Sequence, residues 1–299
     1  MVTTVPFSHA TPACLGAHNV SRNHYAAIAR EMVLDSPLDL IMGCGHPAWD
    51  DDGKAREDPS ASHYKYVGGR ELWDKLLTGT TGRGWTLIQT KAQFEALAAD
   101  ASAAPERLIG IPQCHQTLQQ KRKGKAPGHL NPNVPSLATM VTVAMRFLQR
   151  GEDGFLLVVE GGAVDWANHA NNLARMVEEQ VDFNRAVEAA VARIESSGGW
   201  EKTLLIVTSD HECGQIWGPQ AGPPATFQEP VNRGAGNLPD AKHFSKGHTN
   251  HLVPLYAKGP GAEGFAKRVR GRDPKYGPYV DNTDVFTVLR AALVPVAEN

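Results

Sequence analysis

Apolar runs of strand length recur along this chain with segments of helical period between them, and that alternation restricts the fold more than any single residue does. The runs are "MVTTVPF", "LDLIMG", "TLIQ", "RLIGI", "GFLLVVE", "TLLIVTS" and "HLVPLYA". Continuous apolar character, rather than an in–out alternation, is the pattern of strands covered on both faces. Helical spacing predicts helices near 22–33, 91–99, 136–149 and 165–197. Strands that alternate with helices in this way imply a mainly parallel sheet flanked by helices. Two polar or Gly/Pro-rich stretches, at about 46–63 and 215–244, break the rhythm. They read as surface excursions, so residues 1–299 are expected to form a single domain.

The ends of three runs carry chemistry. "GFLLVVE" stops at Glu160, Gly161 and Gly162 break it, and a helical pattern follows with Leu173, Val177, Val181 and Val187 on one side. Asp165 and His169 are four apart, which puts them on one helix face. In open α/β sheets, ligands bind at the carboxyl edge where these residues lie. "TLLIVTSDHECG" repeats the arrangement, with Asp210 and His211 directly after the run. "SKGHTNHLVPLYAKGP" offers His248 before the last run, and His251 as the weaker candidate because it sits closer to the strand. Imidazoles and carboxylates in such numbers match zinc chemistry, which uses three protein ligands and one open position at catalytic sites.

Composition removes other classes. The 299 residues carry a formal net charge of −2 at pH 7, which argues against a general nucleic-acid binder. The one basic cluster, Lys121, Arg122, Lys123 and Lys125, lies in a Gly/Pro loop and reads as solvated charge. No apolar stretch approaches a membrane span, and the opening residues lack the order of a signal peptide. Cys14, Cys44, Cys114 and Cys213 have no CxxC spacing and leave their pairing open. Asp50, Asp51 and Asp52 before Gly53 read as a turn, because the downstream acidic ligand of a calcium loop is absent.

Taken together, "VTTVPFSHATPACLGAHNVSRNHY", "VEGGAVDWANHANN", "TSDHECG" and "HTNHLVPLYAKGPGAEGF" resemble successive blocks of the alkaline phosphatases, in family order. The resemblance implies a three-layer α/β/α fold and hydrolysis of phosphate monoesters through a phosphoserine, with two Zn2+ and one Mg2+. It makes Asp165, His169 and His248 the ligands of one zinc and assigns Asp210 and His211 to the second. Glu160 and the hydroxyl of Thr11 would serve the magnesium, with His9 beside that site. Arg22 would clamp two phosphate oxygens with its planar fork. Trp166 occupies a position that varies in the family. The complete protein is expected to be a homodimer, periplasmic or secreted.

The resemblance also implies a gap. An aspartate that bridges the second zinc and the magnesium, and the nucleophilic serine in an Asp-Ser-Ala setting, belong in the family upstream of the block with which this sequence opens. Asp35 and Ser36 read as a turn before a strand, and neither Ser8 nor Ser209 sits at a nucleophile turn. The sequence is therefore expected to be the carboxyl-terminal two-thirds of an alkaline phosphatase. The alternative is a non-catalytic remnant that binds metal or phosphate.

Overall fold

The continuous apolar runs of the first half become one parallel sheet. The computed structural model describes residues 1–222 and 226–293, and the chain divides into two compact units, Met1–Ala190 and Val191–Asn299. In the first unit the strands are β1 (Val2–Pro6), β2 (Leu40–Cys44), β3 (Trp85–Ile88), β4 (Arg107–Gly110) and β5 (Val159–Glu160). Their order is β3-β4-β2-β1-β5 and every pairing is parallel. All residues of β1 and β2 are buried, which is why their sequences show no alternation.

Helices cover both faces. After β1 come α1 (Ala10–Gly16) and α2 (Tyr25–Leu34). A 3₁₀ turn (Ala61–Val67) and α3 (Arg70–Thr78) follow β2, α4 (Lys91–Ala99) follows β3, and α5 (Leu137–Leu148) follows β4. Phe7, Ile41 and Ile109 pack on one face with Met32 of α2 and Leu72 of α3. On the other face, a Cβ built at Gly110 would lie 2.8 Å from the ring of Phe94 in α4, so glycine lets that ring touch the strand backbone. Local caps fix where the helices begin. Thr90 and Gln93 form a reciprocal capping box at α4, and Ser136 accepts from the Thr139 N–H at 3.1 Å to start α5.

The α/β class and the parallel sheet follow the sequence expectation, with differences in detail. The helix expected over 165–197 is two helices, α6 (Ala163–His169) and α7 (Leu173–Ser196), separated where Asn171 takes φ 50°. Asparagine tolerates that left-handed conformation, and the chain turns there. α1 and α3 had no counterpart in the periodic reading. Arg122 corrects the reading of the basic loop, because it is buried and donates from Nη1 and Nη2 to the two Glu178 oxygens at 2.6 and 2.8 Å. Lys121, Lys123 and Lys125 are exposed. The aspartate run is a turn, with Asp50 Oδ1 accepting from the N–H groups of Asp52 and Lys54 at 2.9 Å each.

The second unit is built from short antiparallel pairs. β6 (Leu205–Val207) pairs with β11 (Tyr256–Lys258), β7 (Glu212–Cys213) with β10 (His248–Thr249), β8 (Ile216–Trp217) with β9 (Lys242–His243), and β12 (Gly271–Asp273) with β13 (Gly277–Tyr279). Thus the runs "TLLIVTS" and "HLVPLYA" pair with each other rather than with parallel neighbours. Among the described residues, a 3₁₀ turn (Gly199–Glu201) and the helices α8 (Glu263–Ala266) and α9 (Asn282–Leu293) also belong to this unit. The stretch 215–244 is held by β8 and β9 at its ends, with Trp217 against Phe227 and Phe244 at ring-centroid distances of 6.0 and 5.3 Å. Its residues 223–225 lie outside the described residues. Among the described residues, no helix is long and apolar enough to cross a membrane.

Candidate functional site

Within the first unit, β5 pairs with the first half of β1, so that its carboxyl end lies beside Thr3. Thr3 stands in register with Glu160 and donates its hydroxyl to Glu160 Oε2. Beyond β5 the chain must turn sharply, and a Cβ at Gly162 would lie 3.0 Å from both Glu160 Cδ and Val5 Cγ2. Glycine permits that close approach. The Ala163 N–H then donates to Thr4 Oγ1 at 3.1 Å, which pins the start of α6 onto β1. Asp165 falls in the first turn of α6, the end where a helix dipole favours negative charge. One turn on, His169 Nε2 is 3.3 Å from Asp165 Oδ2. Beyond β1, His9 opens α1 and Thr11 lies in that helix's first turn.

His9 is the centre of this edge. Arg22 Nη2 stands 3.5 Å from His9 Nδ1, and the rings of Trp166 and Tyr25 lie 5.0 and 5.6 Å from the imidazole. Burial, the Arg22 guanidinium and Lys65 push the His9 pKa down to about 4, against the pull of Asp165. The imidazole is therefore neutral at neutral pH, and its Nδ1 can face the arginine as an acceptor. Further cations approach the same aromatic surface: Lys65 Nζ is 5.6 Å from the Tyr25 centroid and Lys121 Nζ is 5.7 Å from that of Trp166. Sequence reasoning did not place Tyr25, Lys65 and Lys121 at this site, because nothing local to the start of α2, the 3₁₀ turn or the basic loop signals that the fold brings them to the rings around His9.

Within the second unit, Asp210 and His211 follow β6 as an adjacent pair, His211 Nε2 lying 3.2 Å from Asp210 Oδ2. The ring of His211 stacks on that of His248, with centroids 3.5 Å apart and planes 21° from parallel. His248 is held by the β7–β10 pair, opposite the buried Cys213, while Thr249 donates to Glu212 Oε2. His251 lies past the end of β10, exposed. Cys213 is a neighbour of the candidate ligand His248 that sequence reasoning did not single out. Its only local signal was its place in "DHEC", three residues after Asp210.

The donors suit the metals that the resemblance implies. The first unit offers a carboxylate–imidazole pair in Asp165 and His169 and hard oxygens in Glu160 and Thr11. The second offers Asp210 with two imidazoles. Imidazole with carboxylate is a zinc donor set, and an all-oxygen set suits magnesium.

A family model described as alkaline phosphatase matches residues 1–270. Alkaline phosphatase 3 of Bacillus subtilis (strain 168) is 28% identical over 247 residues, an alignment covering 80% of this chain and 45% of that protein. Alkaline phosphatase of Escherichia coli (strain K12) is 27% identical over 326 residues, covering 98% of this chain and 64% of that protein. The chain thus spans about half to two-thirds of the length of these curated relatives. Among solved structures, a cold-active alkaline phosphatase from the psychrophile Shewanella sp. superposes with a TM-score of 0.66 at 21% identity, covering 98% of this chain and 75% of that one. A mutant of TAB5 alkaline phosphatase with Mg bound in the M3 site superposes with a TM-score of 0.64 at 21% identity, covering 98% and 70%. At this identity the superpositions speak for the fold.

Proposed function

The chain belongs to the alkaline phosphatase family, and from that membership we propose that it carries the metal- and phosphate-binding part of a phosphate monoester hydrolase. The observation that supports this most directly is the gathering around His9 of a candidate phosphate clamp, Arg22, and the α6 residues Asp165 and Trp166 beyond the carboxyl ends of β1 and β5. An arginine fork matches two phosphate oxygens, and the cationic rim around it favours a dianionic ester.

By the order of the sequence blocks, Asp165, His169 and His248 serve one zinc, Asp210 and His211 a second, and Glu160 and Thr11 a magnesium with His9 nearby. Bound there, the metals supply Lewis-acid stabilisation of phosphoryl oxygens and lower the pKa of water. The protein's own contribution is to hold the ester. Arg22 orients the phosphoryl group, neutral His9 keeps the Arg22 fork in place, and Trp166 walls the site on the α6 side.

The nucleophile in this reading is a serine outside the 299 residues. Three serines near candidate positions are engaged otherwise: Ser8 donates to Tyr66 O at 3.0 Å, Ser36 to Met32 O at 2.6 Å and Ser209 to His211 O at 2.8 Å. The complete protein in this reading is a homodimer in an extracytoplasmic compartment.

Titration with inorganic phosphate in the presence of zinc tests the clamp. Arg22→Ala is expected to weaken phosphate binding by about 1.5–3 kcal/mol, the worth of a charge-assisted bond. Equal affinity in the two proteins would remove Arg22 from the site. Joining the chain to the matching amino-terminal segment of a relative is expected to produce hydrolysis of a chromogenic phosphate monoester. A soluble, zinc-binding fusion without turnover would favour the non-catalytic remnant.

A further inference from the structure

Cys44 closes β2, and Cys114 lies just beyond β4. Because β2 and β4 are parallel neighbours, their pairing carries both thiols to the same edge of the sheet. The two sulfurs stand 3.2 Å apart, Cys114 Sγ–H directed at Cys44 Sγ. The His46 N–H donates to Cys114 O at 3.1 Å, which fixes the two backbone segments against each other. Neither cysteine has any exposed surface. From this arrangement the sulfurs need approach by only about 1.2 Å to reach the roughly 2.0 Å of an S–S bond.

We propose that Cys44 and Cys114 form a disulfide that is made as the chain folds, by exchange with a disulfide oxidant, and is sealed when the sheet closes. One cysteine thiolate attacks a sulfur of the oxidant and releases one oxidant thiolate. The second cysteine thiolate then attacks the mixed disulfide and releases the other. The two cysteines lose two protons and two electrons, and the oxidant disulfide becomes two thiols.

Burial explains the timing. In the folded chain, burial and the adjacent Cys114 raise the Cys44 thiol well above its ordinary pKa, so the thiolate that exchange requires is scarce. Oxidant and reductant alike are also kept from the sulfurs by the surrounding core. Folded protein therefore keeps whichever state it folded in. The remaining cysteines do not compete on the same footing: Cys14 is exposed on α1, and Cys213 belongs to the second unit. This inference is independent of the phosphatase reading.

The bond would tie residues 70 apart in sequence, a closure that restricts the denatured chain substantially. The test compares protein purified from a reducing cytoplasm with protein exported to an oxidising compartment. Each is alkylated in denaturant without reductant, digested and mapped by mass. Exported protein is expected to yield a Cys44–Cys114 linked peptide lighter by two hydrogens, with Cys14 and Cys213 alkylated. Cytoplasmic protein is expected to be alkylated at Cys44 and Cys114. The exported form should melt roughly 5–10 °C higher, and Cys44→Ala should erase that difference. Alkylation of both Cys44 and Cys114 in exported protein, or linkage of either to Cys14 or Cys213, would overturn the proposal whether or not the variant folds.

Discussion

Arg122 in the first unit and Arg233 in the second each meet a carboxylate, in opposite surroundings. The Arg122 and Glu178 side chains are 5% and 15% exposed, whereas those of Arg233 and Asp240 are 57% and 40% exposed. Arg122 also donates to the carbonyls of Gln119 and His129, and Arg175 reaches Glu178 and the carbonyls of Arg122 and Gly124. The first unit has a parallel sheet with helices on both faces, and it draws charged groups into its packing. In the second, short antiparallel ribbons leave side chains such as Leu252 and Tyr256 at 43% and 68% exposure. The contrast teaches that a polar side chain is structural where the core encloses it. Where the core is thin, as around Asp210 and His248, polar side chains remain at the surface.

The largest expected effect comes from removing the enclosed arginine. Arg122→Ala leaves Glu178 with only Arg175 beside it and frees two carbonyls, and breaking a buried pair in this way costs about 3–5 kcal/mol. Chemical denaturation should register that loss, and hydrogen exchange should place it in the peptides that contain residues 119–129 and the start of α7, where the Arg122 bonds end. A loss below about 1 kcal/mol would mean that the enclosed pair behaves like a surface pair, and the contrast would collapse.

Glu179, the next residue along α7, gives a pH-dependent form of the same contrast. Burial raises its pKa to about 8, helped by Asp182 and Glu178 and opposed by Arg122 and Arg175. A carboxyl whose pKa is raised on folding binds its proton more tightly when folded. Its stabilising contribution is whole below the unfolded pKa of about 4.3 and is lost as pH rises towards 8. Glu179→Gln is therefore expected to raise stability by only about 1 kcal/mol near pH 5 and by about 4 kcal/mol more at pH 9. Denaturation midpoints at the two pH values check this, and a difference between the proteins that does not change with pH would contradict it.

The same enclosure decides what the sequence could reveal. Strands such as Leu40–Cys44 and Arg107–Gly110 are legible because burial on both faces writes a continuous apolar run. Asp165 and His169 are legible as a pair because helical spacing alone brings them together. The ribbons of the second unit are not legible, since two-residue pairings such as Ile216–Trp217 with Lys242–His243 are too short to show any period. α3 was missed despite usable signals, with Gly79 at its end and Leu72, Trp73 and Leu76 buried on one side. The burial of Arg122 is a long-range property: Glu178 is 56 residues away, and nothing in "KRKGK" distinguishes its arginine from the exposed lysines around it.

The smallest expected effect lies at the exposed pair, and it sharpens the contrast by being small. Arg233 Nη2 contacts Asp240 Oδ2 beside a backbone bridge between Val231 and Asp240, so the backbone already holds the two ends of this turn together. The ion pair adds attraction in a medium where water competes for both charges and salt screens them. Holding two flexible side chains in one geometry also costs rotamer freedom. A double-mutant cycle of Arg233→Ala and Asp240→Ala should then give a coupling of about 0.2–1 kcal/mol that shrinks in high salt. The backbone bridge should remain in both single variants, since neither side chain forms it. A coupling above about 2 kcal/mol, insensitive to salt, would require that Arg233 and Asp240 be shielded from solvent in the protein. This ribbon would then enclose its charged pair as the first unit encloses Arg122 and Glu178, and exposure would no longer separate the two pairs.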